Sequence, residues 1–168
     1  MDLLVIRHGI AEDREAFAAS GTDDGLRPLT DDGRRKMRRV ARALTTLVPS
    51  LDVLASSPLA RARQTADLVA KAYSGLPITE ITQLQPEQPP DAFAEWARGQ
   101  SKKGCVAAVG HEPLLGRIVS LMLAGRKQSF VELKKGGATL VAFADRVEPG
   151  AGVLRWVLTP GQLRDLRG

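Results

Sequence analysis

The chain alternates short apolar runs of strand length with longer segments in which apolar residues recur every three or four positions. Leu3–Ile6 and Cys105–Val109 are unbroken apolar runs, which is typical of strands buried on both faces of a sheet. Four further runs also predict strands, the last two of them joined as a hairpin: Asp52–Ser56, Ile78–Ile81, Thr139–Phe143 and Val153–Leu158.

The segments between these runs predict helices. In Asp31–Leu47 the apolar residues share one face and the arginines lie mostly on the other; Thr30 is placed as the N-cap, and Pro49 ends the helix. A second helix is predicted from Pro58 to Tyr73, with Ser57 as its cap, and two more at Asp91–Gly99 and Leu114–Leu123. Loops are predicted at Ile10–Gly25, which has room for one short helix, and at Gln83–Pro90.

This alternation of strands and helices predicts the fold class. Successive β-α units favour a largely parallel sheet with helices on both faces, which is a three-layer α/β/α arrangement. The sheet should have about six strands, with the closing strands running antiparallel. A length of 168 residues fits one domain spanning residues 1–168.

Composition and charge narrow the class of protein. The net charge of +5 favours an anionic partner, but only 4% of residues are aromatic, and no basic stretch is interleaved with aromatic residues, which argues against nucleic acid. No apolar stretch approaches the roughly 20 residues of a membrane span, no secretory signal is visible, and the single cysteine, Cys105, cannot form an internal disulfide. We therefore expect a cytoplasmic monomer with no membrane contact and no cofactor.

The two histidines of the chain stand in similar places. His8 and His111 each follow a predicted buried strand and adjoin a glycine. Ligands of α/β sheets bind at the carboxyl ends of the strands, so both histidines are candidates for chemistry. Arg7 precedes His8, while Arg61 and Arg63 fall in the first turn of a predicted helix that follows another strand.

These residue types favour phosphoryl transfer. Arginines bind phosphate oxygens through bidentate, charge-assisted hydrogen bonds. Nearby cations favour a neutral imidazole, which is a nucleophile, and a second, protonated histidine could stabilise the transition state. Metal binding is the poorer account, because the arginines would repel a divalent ion and no carboxylate cluster offsets them.

Three motifs carry a specific resemblance. Leu4–Gly9, Ser57–Ala66 and Val109–Pro113 resemble the three signatures of the histidine phosphatase superfamily, which includes the cofactor-dependent phosphoglycerate mutases. The short length and Arg27–Gly33 resemble its SixA-type branch of small bacterial phosphohistidine phosphatases, and Arg155–Pro160 is similar to that branch's last strand. The resemblance spans Leu3 to Pro160 and implies a phosphoglycerate mutase-like fold.

The resemblance also implies roles for individual residues. His8 would be the nucleophile, and Arg7, Arg61 and His111 would form the phosphate pocket, with Arg27 reaching its rim. Arg63 has the weaker claim and is expected to face solvent on its helix. Larger members of the superfamily use a glutamate as general acid, which the SixA-type enzymes lack; the candidates here are Glu87, in a proline-rich stretch, Glu12 and Glu112.

Three functions remain open at this point. The leading one is a metal-independent phosphatase that acts on phosphohistidine in a signalling or phosphotransfer protein. The alternatives are a phosphatase of small phosphate esters with the same core, and a non-catalytic phosphate-binding module. Mutase activity is disfavoured, because the chain lacks the insertions that would enclose a bisphosphate.

Overall fold

A mixed six-stranded sheet organises the chain, as seen in a computed structural model that describes residues 1–166. The strand order is β3-β2-β4-β1-β5-β6, in which β5 is antiparallel to both of its neighbours and the other neighbouring pairs are parallel. The strands are β1 (Asp2–Arg7), β2 (Val53–Ser56), β3 (Ile78–Glu80), β4 (Cys105–Gly110), β5 (Ala138–Ala142) and β6 (Val153–Leu158).

Helices cover both faces of this sheet, so the predicted α/β/α layering is confirmed. One core lies under α4 and α5 and contains Leu3, Val5 and Phe93. The other core lies under α2, α3 and α6 and contains Leu4, Ile6 and Met37. The helices are α1 (Arg14–Ala18), α2 (Asp31–Leu47), α3 (Ala60–Ala72), α4 (Pro90–Arg98), α5 (Leu114–Ala124) and α6 (Pro160–Asp165), with 3₁₀ turns at Asp24–Leu26 and Thr82–Leu84.

Successive residues of β1 alternate between the two cores, which explains why its sequence is an unbroken apolar run. Leu3 and Val5 face one layer of helices while Leu4 and Ile6 face the other, and all four are fully buried. The all-buried strand β4 follows the same rule and pairs in parallel with β1 on one side and with β2 on the other. The carboxyl ends of these three strands therefore lie side by side.

The bounds of α2 agree with the prediction, and its N-cap is the predicted one. The Thr30 side chain accepts a hydrogen bond from the Gly33 amide, and two aspartates occupy the first turn. The arginine-bearing face is largely exposed while Met37, Val40 and Leu44 are buried. For this helix, a 3.6-residue period of apolar positions together with a capping residue is sufficient to predict its bounds.

Two local predictions were wrong. Ser57 does not cap α3 and Pro58 is not its first residue. The helix begins at Ala60 with Leu59 as N-cap, and the Ser57 hydroxyl contacts both the Leu59 amide and the ring of His111. The stretch 83–90 is not entirely loop, since it starts within the Thr82–Leu84 turn and Pro90 opens α4, where a missing backbone N–H costs nothing. Among the residues described, no helix has both the length and the apolar character needed to cross a bilayer.

Candidate active site

A cleft of about 780 Å³ opens at the carboxyl edge of the parallel strands. The segments that follow β1, β2, β3 and β4 all contribute to its walls. Every residue that the sequence assigned to the phosphate site lines this cleft, namely Arg7, His8, Arg27, Arg61 and His111. The three candidate general acids, Glu12, Glu87 and Glu112, line it as well.

Hydrogen bonds fix the position and the tautomer of His8. The backbone amide of His8 donates to the Gly110 carbonyl at the end of β4, over 3.1 Å. Its ring Nδ1 lies 2.7 Å from the Gly9 carbonyl oxygen, which can only accept, so Nδ1 carries the hydrogen. The lone pair therefore resides on Nε2, which is the atom left free to act as a nucleophile.

Gly9 is required where the backbone leaves β1. A Cβ atom at this position would lie 2.6 Å from the Cγ of Met37, so a larger residue would push the loop away from α2. The Gly9 carbonyl would then move away from its hydrogen-bonding position beside His8 Nδ1. Packing against α2 thus helps to set the orientation of the imidazole.

The surroundings keep the His8 ring neutral. Only 5% of its surface is exposed. Burial is the largest cause that lowers the pKa of His8 to about 3, and the positive charges of Arg61, Arg7 and Lys135 add to it against the opposing hydrogen bond to Gly9. This agrees with the expectation that nearby cations favour the nucleophilic form.

His111 lies against His8 with 5.1 Å between the ring centroids. Its Nε2 is 2.9 Å from the Ser57 hydroxyl, and the ring is 2% exposed. Burial, then the His8 ring and Arg61, lowers the pKa of His111 to about 2. Without a bound anion, the desolvated ring beside cationic groups is therefore neutral, and protonation of the second histidine in the transition state stays a prediction.

Three buried nitrogen atoms of these side chains have no hydrogen-bond partner. Among the described residues, no hydrogen-bond acceptor reaches Arg7 Nε, Arg61 Nε or His111 Nδ1. An arginine Nε–H only donates, and an unpaired buried donor costs about 1–3 kcal/mol. Such a set of donors is suited to the oxygens of a bound oxyanion.

The protein holds one terminal nitrogen of Arg7 and both terminal nitrogens of Arg61. Arg7 Nη1 donates to the Leu133 carbonyl over 2.6 Å. Arg61 Nη1 donates to the Asp24 carbonyl over 2.9 Å, and its Nη2 lies 3.2 Å from the Asp24 carboxylate. The contacts at the terminal nitrogens therefore orient each guanidinium group, while its Nε–H remains available to a ligand.

Asp24 is the residue of this site that the sequence did not reveal. Its carboxylate accepts from Arg27 Nε over 2.8 Å and pairs with Arg61. Burial raises the pKa of Asp24, but the Arg27 hydrogen bond and the charge of Arg61 outweigh it, so the net shift is downward and the carboxylate is ionised. A lone aspartate in a polar loop gives no signal of this role, since the pairing with Arg61 joins positions 37 residues apart.

Two adjacent side chains on α3 join the phosphate-site segments. The buried Thr65 hydroxyl accepts from the Gly9 amide over 3.1 Å and donates to the Arg61 carbonyl over 2.7 Å. The Gln64 side-chain oxygen accepts from the Leu29 amide over 2.9 Å, next to the Arg27-bearing stretch. The helix that carries Arg61 is thereby fixed to the His8 loop and to the Arg27 loop.

Arg63 lies outside the cleft, as the sequence interpretation expected. It is 39% exposed and pairs with Asp67 and Glu80. Among the candidate acids, Glu112 is fully engaged, because one carboxylate oxygen accepts from the Gly116 amide and the other from the Leu133 amide. Glu12 and Glu87 are exposed at the cleft. The described residues contain no group of three or more His, Cys, Asp or Glu side chains able to hold a metal ion.

The fold and the cleft define an α/β protein with a buried cluster of histidines and arginines at the carboxyl edge of its sheet. Residues 3–88 match the family model described as the histidine phosphatase superfamily (branch 1). The chain therefore belongs to the histidine phosphatase superfamily, and phosphatase activity is the class of activity that this membership supports.

Individual relatives agree with this family. A curated but uncharacterized protein of Picosynechococcus sp. is 36% identical over 140 residues, which cover 82% of each chain. The phosphohistidine phosphatase SixA of Escherichia coli strain K12 is 24% identical over 170 residues, covering 98% of this chain and 97% of SixA.

A solved structure confirms the predicted phosphoglycerate mutase-like fold. The structure of the protein histidine phosphatase SixA complexed with tungstate is similar, with a TM-score of 0.82 at 24% sequence identity. The match covers 97% of this chain and 99% of that one.

Proposed function

We propose that this protein is a phosphatase that removes the phosphoryl group from phosphohistidine in another protein, through a covalent phosphohistidine intermediate on His8. The observation that carries the proposal is the neutral His8 ring, which donates from Nδ1 to the Gly9 carbonyl and leaves Nε2 free. Its cleft is also lined by Arg7 and Arg61, whose Nε–H groups have no partner. A nucleophile next to oxyanion donors is what phosphoryl transfer requires. The likeness to phosphohistidine phosphatase SixA supports the same choice of substrate.

Two displacements complete the proposed reaction. First, the His8 Nε2 lone pair attacks the phosphorus of a phosphohistidine whose ring is protonated on its other nitrogen. The substrate's P–N bond breaks, its electron pair returns to the departing nitrogen, and a neutral imidazole leaves. Second, water attacks the phosphorus of phosphorylated His8, and the new P–N bond breaks with its electron pair returning to Nε2. Inorganic phosphate and one proton are released, and His8 is neutral again.

The remaining site residues have distinct parts in this proposal. Arg7 and Arg61 bind the phosphoryl oxygens through their free Nε–H groups, and the His111 ring adds a donor to the same oxygens. An incoming phosphoryl dianion would favour protonation of His111, which the site without an anion disfavours. Arg27 contributes at the rim beside Asp24. These cations supply the charge that a metal ion would otherwise bring, so the reaction should not need one.

The unit that acts is a single domain. Both hydrophobic cores pack against one sheet, and the cleft draws its residues from segments spread between Arg7 and Lys135. We propose that residues 1–168 form one histidine-phosphatase-like domain that works as a monomer in the cytoplasm. Sedimentation of the purified protein tests the monomer directly.

A second enzyme function, hydrolysis of small phosphate esters, is favoured only if a carboxylate at the cleft acts as general acid. An alkyl ester expels an alkoxide, a poor leaving group unless it is protonated as it departs, whereas phosphohistidine expels an imidazole. Glu112 is engaged by two amides, which leaves the exposed Glu87 and Glu12. The choice of substrate therefore depends on whether such an acid operates.

A leaving-group series separates the two functions. We expect kcat/KM to be high for a phosphohistidine peptide, modest for activated aryl phosphates and low for alkyl phosphates, with a steep dependence on the pKa of the ester leaving group. Glu87→Gln should scarcely change any of these values, and Glu95→Gln, an exposed residue of α4 outside the cleft, is the matched control. A flat series in the wild type that becomes steep in Glu87→Gln would show a working acid and favour the small-ester phosphatase.

A further inference from the structure

The charge of the cleft differs from that of the whole chain. The chain has a net charge of +5. The cleft is lined by five cationic side chains, Arg7, Arg14, Arg27, Arg61 and Lys135, but by six carboxylates, Glu12, Asp13, Asp23, Asp24, Glu87 and Glu112. The surroundings of the phosphate site are thus slightly acidic, although the molecule as a whole is basic.

The two signs of charge lie at different depths. Arg61 and Arg27 are buried, with 5% and 9% of their surfaces exposed, and Arg7 is half-buried. Four of the carboxylates are exposed, and we call them the acidic rim: Glu12, Asp13, Asp23 and Glu87. The cleft therefore has a cationic floor beneath a largely anionic mouth, with Arg14 and Lys135 as its exposed cations.

The rim carboxylates are not neutralised by the protein. Within residues 1–166, no lysine, arginine or histidine nitrogen lies within 4.0 Å of the carboxylates of Glu12, Asp23 or Glu87. Asp13 differs, because its side chain caps α1 by accepting from the Glu15 and Ala16 amides. Three uncompensated negative charges thus remain available to a molecule that enters the cleft.

These charges come from two separate parts of the chain. Glu12, Asp13 and Asp23 belong to the segment between β1 and α2, whereas Glu87 belongs to the segment between β3 and α4. Two buried nitrogens without partners, Arg61 Nε and His111 Nδ1, independently indicate the phosphoryl position in the same cleft. A molecule that brings a phosphoryl group to them therefore enters a cleft that the acidic rim also lines.

We propose that the acidic rim selects phosphohistidine that lies in a positively charged segment of its protein, with lysine or arginine next to the phosphorylated residue. This inference rests on the proposed function and adds the sequence context of its substrate. Opposite charges on the rim and on the flanking residues attract each other during encounter and docking. A substrate with a second phosphate or with neighbouring carboxylates meets repulsion at the same place, so bisphosphates and acidic peptides are poor substrates.

The test compares two phosphohistidine peptides of equal length, one with two lysines on each side of the phosphorylated residue and one with two glutamates. We expect kcat/KM of the wild type to be higher for the lysine peptide, on the order of tenfold at low salt, the lower end of what electrostatic steering achieves. The ratio should shrink towards one as sodium chloride rises to about 0.5 M, where the Debye length falls to a few ångströms.

The decisive variant removes the three uncompensated rim charges together: Glu12→Gln, Asp23→Asn and Glu87→Gln. The ratio of kcat/KM values should fall close to one, and because it is a ratio, any effect of Glu87 on the chemical step shared by both peptides cancels. A triple variant with the same change in total charge is the control, built from exposed carboxylates outside the cleft: Glu95→Gln, Asp145→Asn and Glu148→Gln. It should keep the wild-type ratio.

The possible outcomes distinguish a failure of this inference from a failure of the proposed phosphohistidine phosphatase function. Turnover of both peptides with equal kcat/KM, or a ratio that survives in the rim variant, would overturn the role of the rim while leaving the phosphohistidine phosphatase intact. Absence of turnover with either peptide, in a protein that still hydrolyses aryl phosphates, would overturn the proposed function and the rim inference with it. A ratio lost in both triple variants would mean that net charge, not the rim, controls selection.

Discussion

Mild acid should destabilise this protein through its two histidines. Both rings are almost fully buried and neutral in the folded chain, where the pKa of His8 is lowered to about 3 and that of His111 to about 2 from an ordinary value of 6.5. In the unfolded chain the same rings are hydrated and titrate near 6.5. Between these values the unfolded state binds more protons, so stability is complete above about pH 6.5 and falls as the pH decreases.

The size of the effect follows from the proton uptake. At pH 5 an unfolded imidazole with a pKa of 6.5 is almost fully protonated, whereas at pH 7 it is mostly neutral. This difference lowers the free energy of unfolding by about 2 kcal/mol for each histidine and about 4 kcal/mol for the pair. Since domains are stable by roughly 5–15 kcal/mol, such a loss is a large fraction of the total.

Urea denaturation at pH 7 and pH 5, followed by the fluorescence of Trp96 and Trp156, measures this loss. The chain has two histidines, so a variant without either should show little dependence on pH in this window. Asn at position 8 keeps an amide near the Nδ1 position, and Gln at position 111 reaches the Nε2 position, so His8→Asn and His111→Gln retain the main polar contacts.

Each single variant should lose about half of the pH dependence. The fold lowers the pKa values of three aspartates, Asp24, Asp32 and Asp52. Their stabilising contribution is fully present above the ordinary value of 3.8 and is lost only below it, so it hardly changes between pH 7 and pH 5. Equal wild-type stability at the two pH values would refute the reasoning. So would a double variant that loses as much free energy as the wild type.

Three further predictions concern activity. His8→Ala should abolish turnover while near-ultraviolet circular dichroism stays native, and hydrolysis at the wild-type rate would end the covalent mechanism. Arg61→Ala should lower kcat/KM on the order of 10²-fold, as expected for loss of a transition-state charge contact, whereas Arg63→Ala should lower it far less. Equal losses of kcat/KM in the two variants would show that the pocket arginine is wrongly assigned. Activity should be unchanged by prolonged dialysis against a chelator, and a loss restored by a divalent ion would contradict the metal-independent reaction.

The sheet and its order of elements could be predicted because each strand carries its own signal. The four apolar residues of β1 are apolar on both faces since helices cover both, and α2 has its period and its threonine cap in adjacent positions. The start of α3 could not be predicted in this way. Ser57 and Pro58 form a good local start signal, but the Ser57 hydroxyl is used by His111, which lies 54 residues further along the chain.

The candidate site likewise contains residues that could be predicted from the sequence and one that could not. His8 and His111 could be identified because each stands directly after an apolar run, and the parallel register of β1 with β4 then brings them together. Asp24 follows no strand and belongs to no periodic segment, so its contacts with Arg27 and Arg61 depend entirely on how a polar loop folds back over the cleft. The lowered pKa of His111 could not be predicted for a related reason, because burial is a property of the folded state.

The burial that makes the site chemically useful is also what makes it costly to the fold. Desolvation keeps Nε2 of His8 unprotonated and would strengthen charge contacts to a bound oxyanion, but it leaves three buried nitrogens without partners and prevents two histidines from ionising. Asp24 offsets part of this cost by pairing with Arg27 Nε and Arg61 Nη2. Because it leaves Arg61 Nε free, the carboxylate compensates the charge of the arginine without occupying the donor that the proposed reaction assigns to the phosphoryl group. In that proposal, different nitrogens of the same guanidinium group serve charge balance and ligand binding.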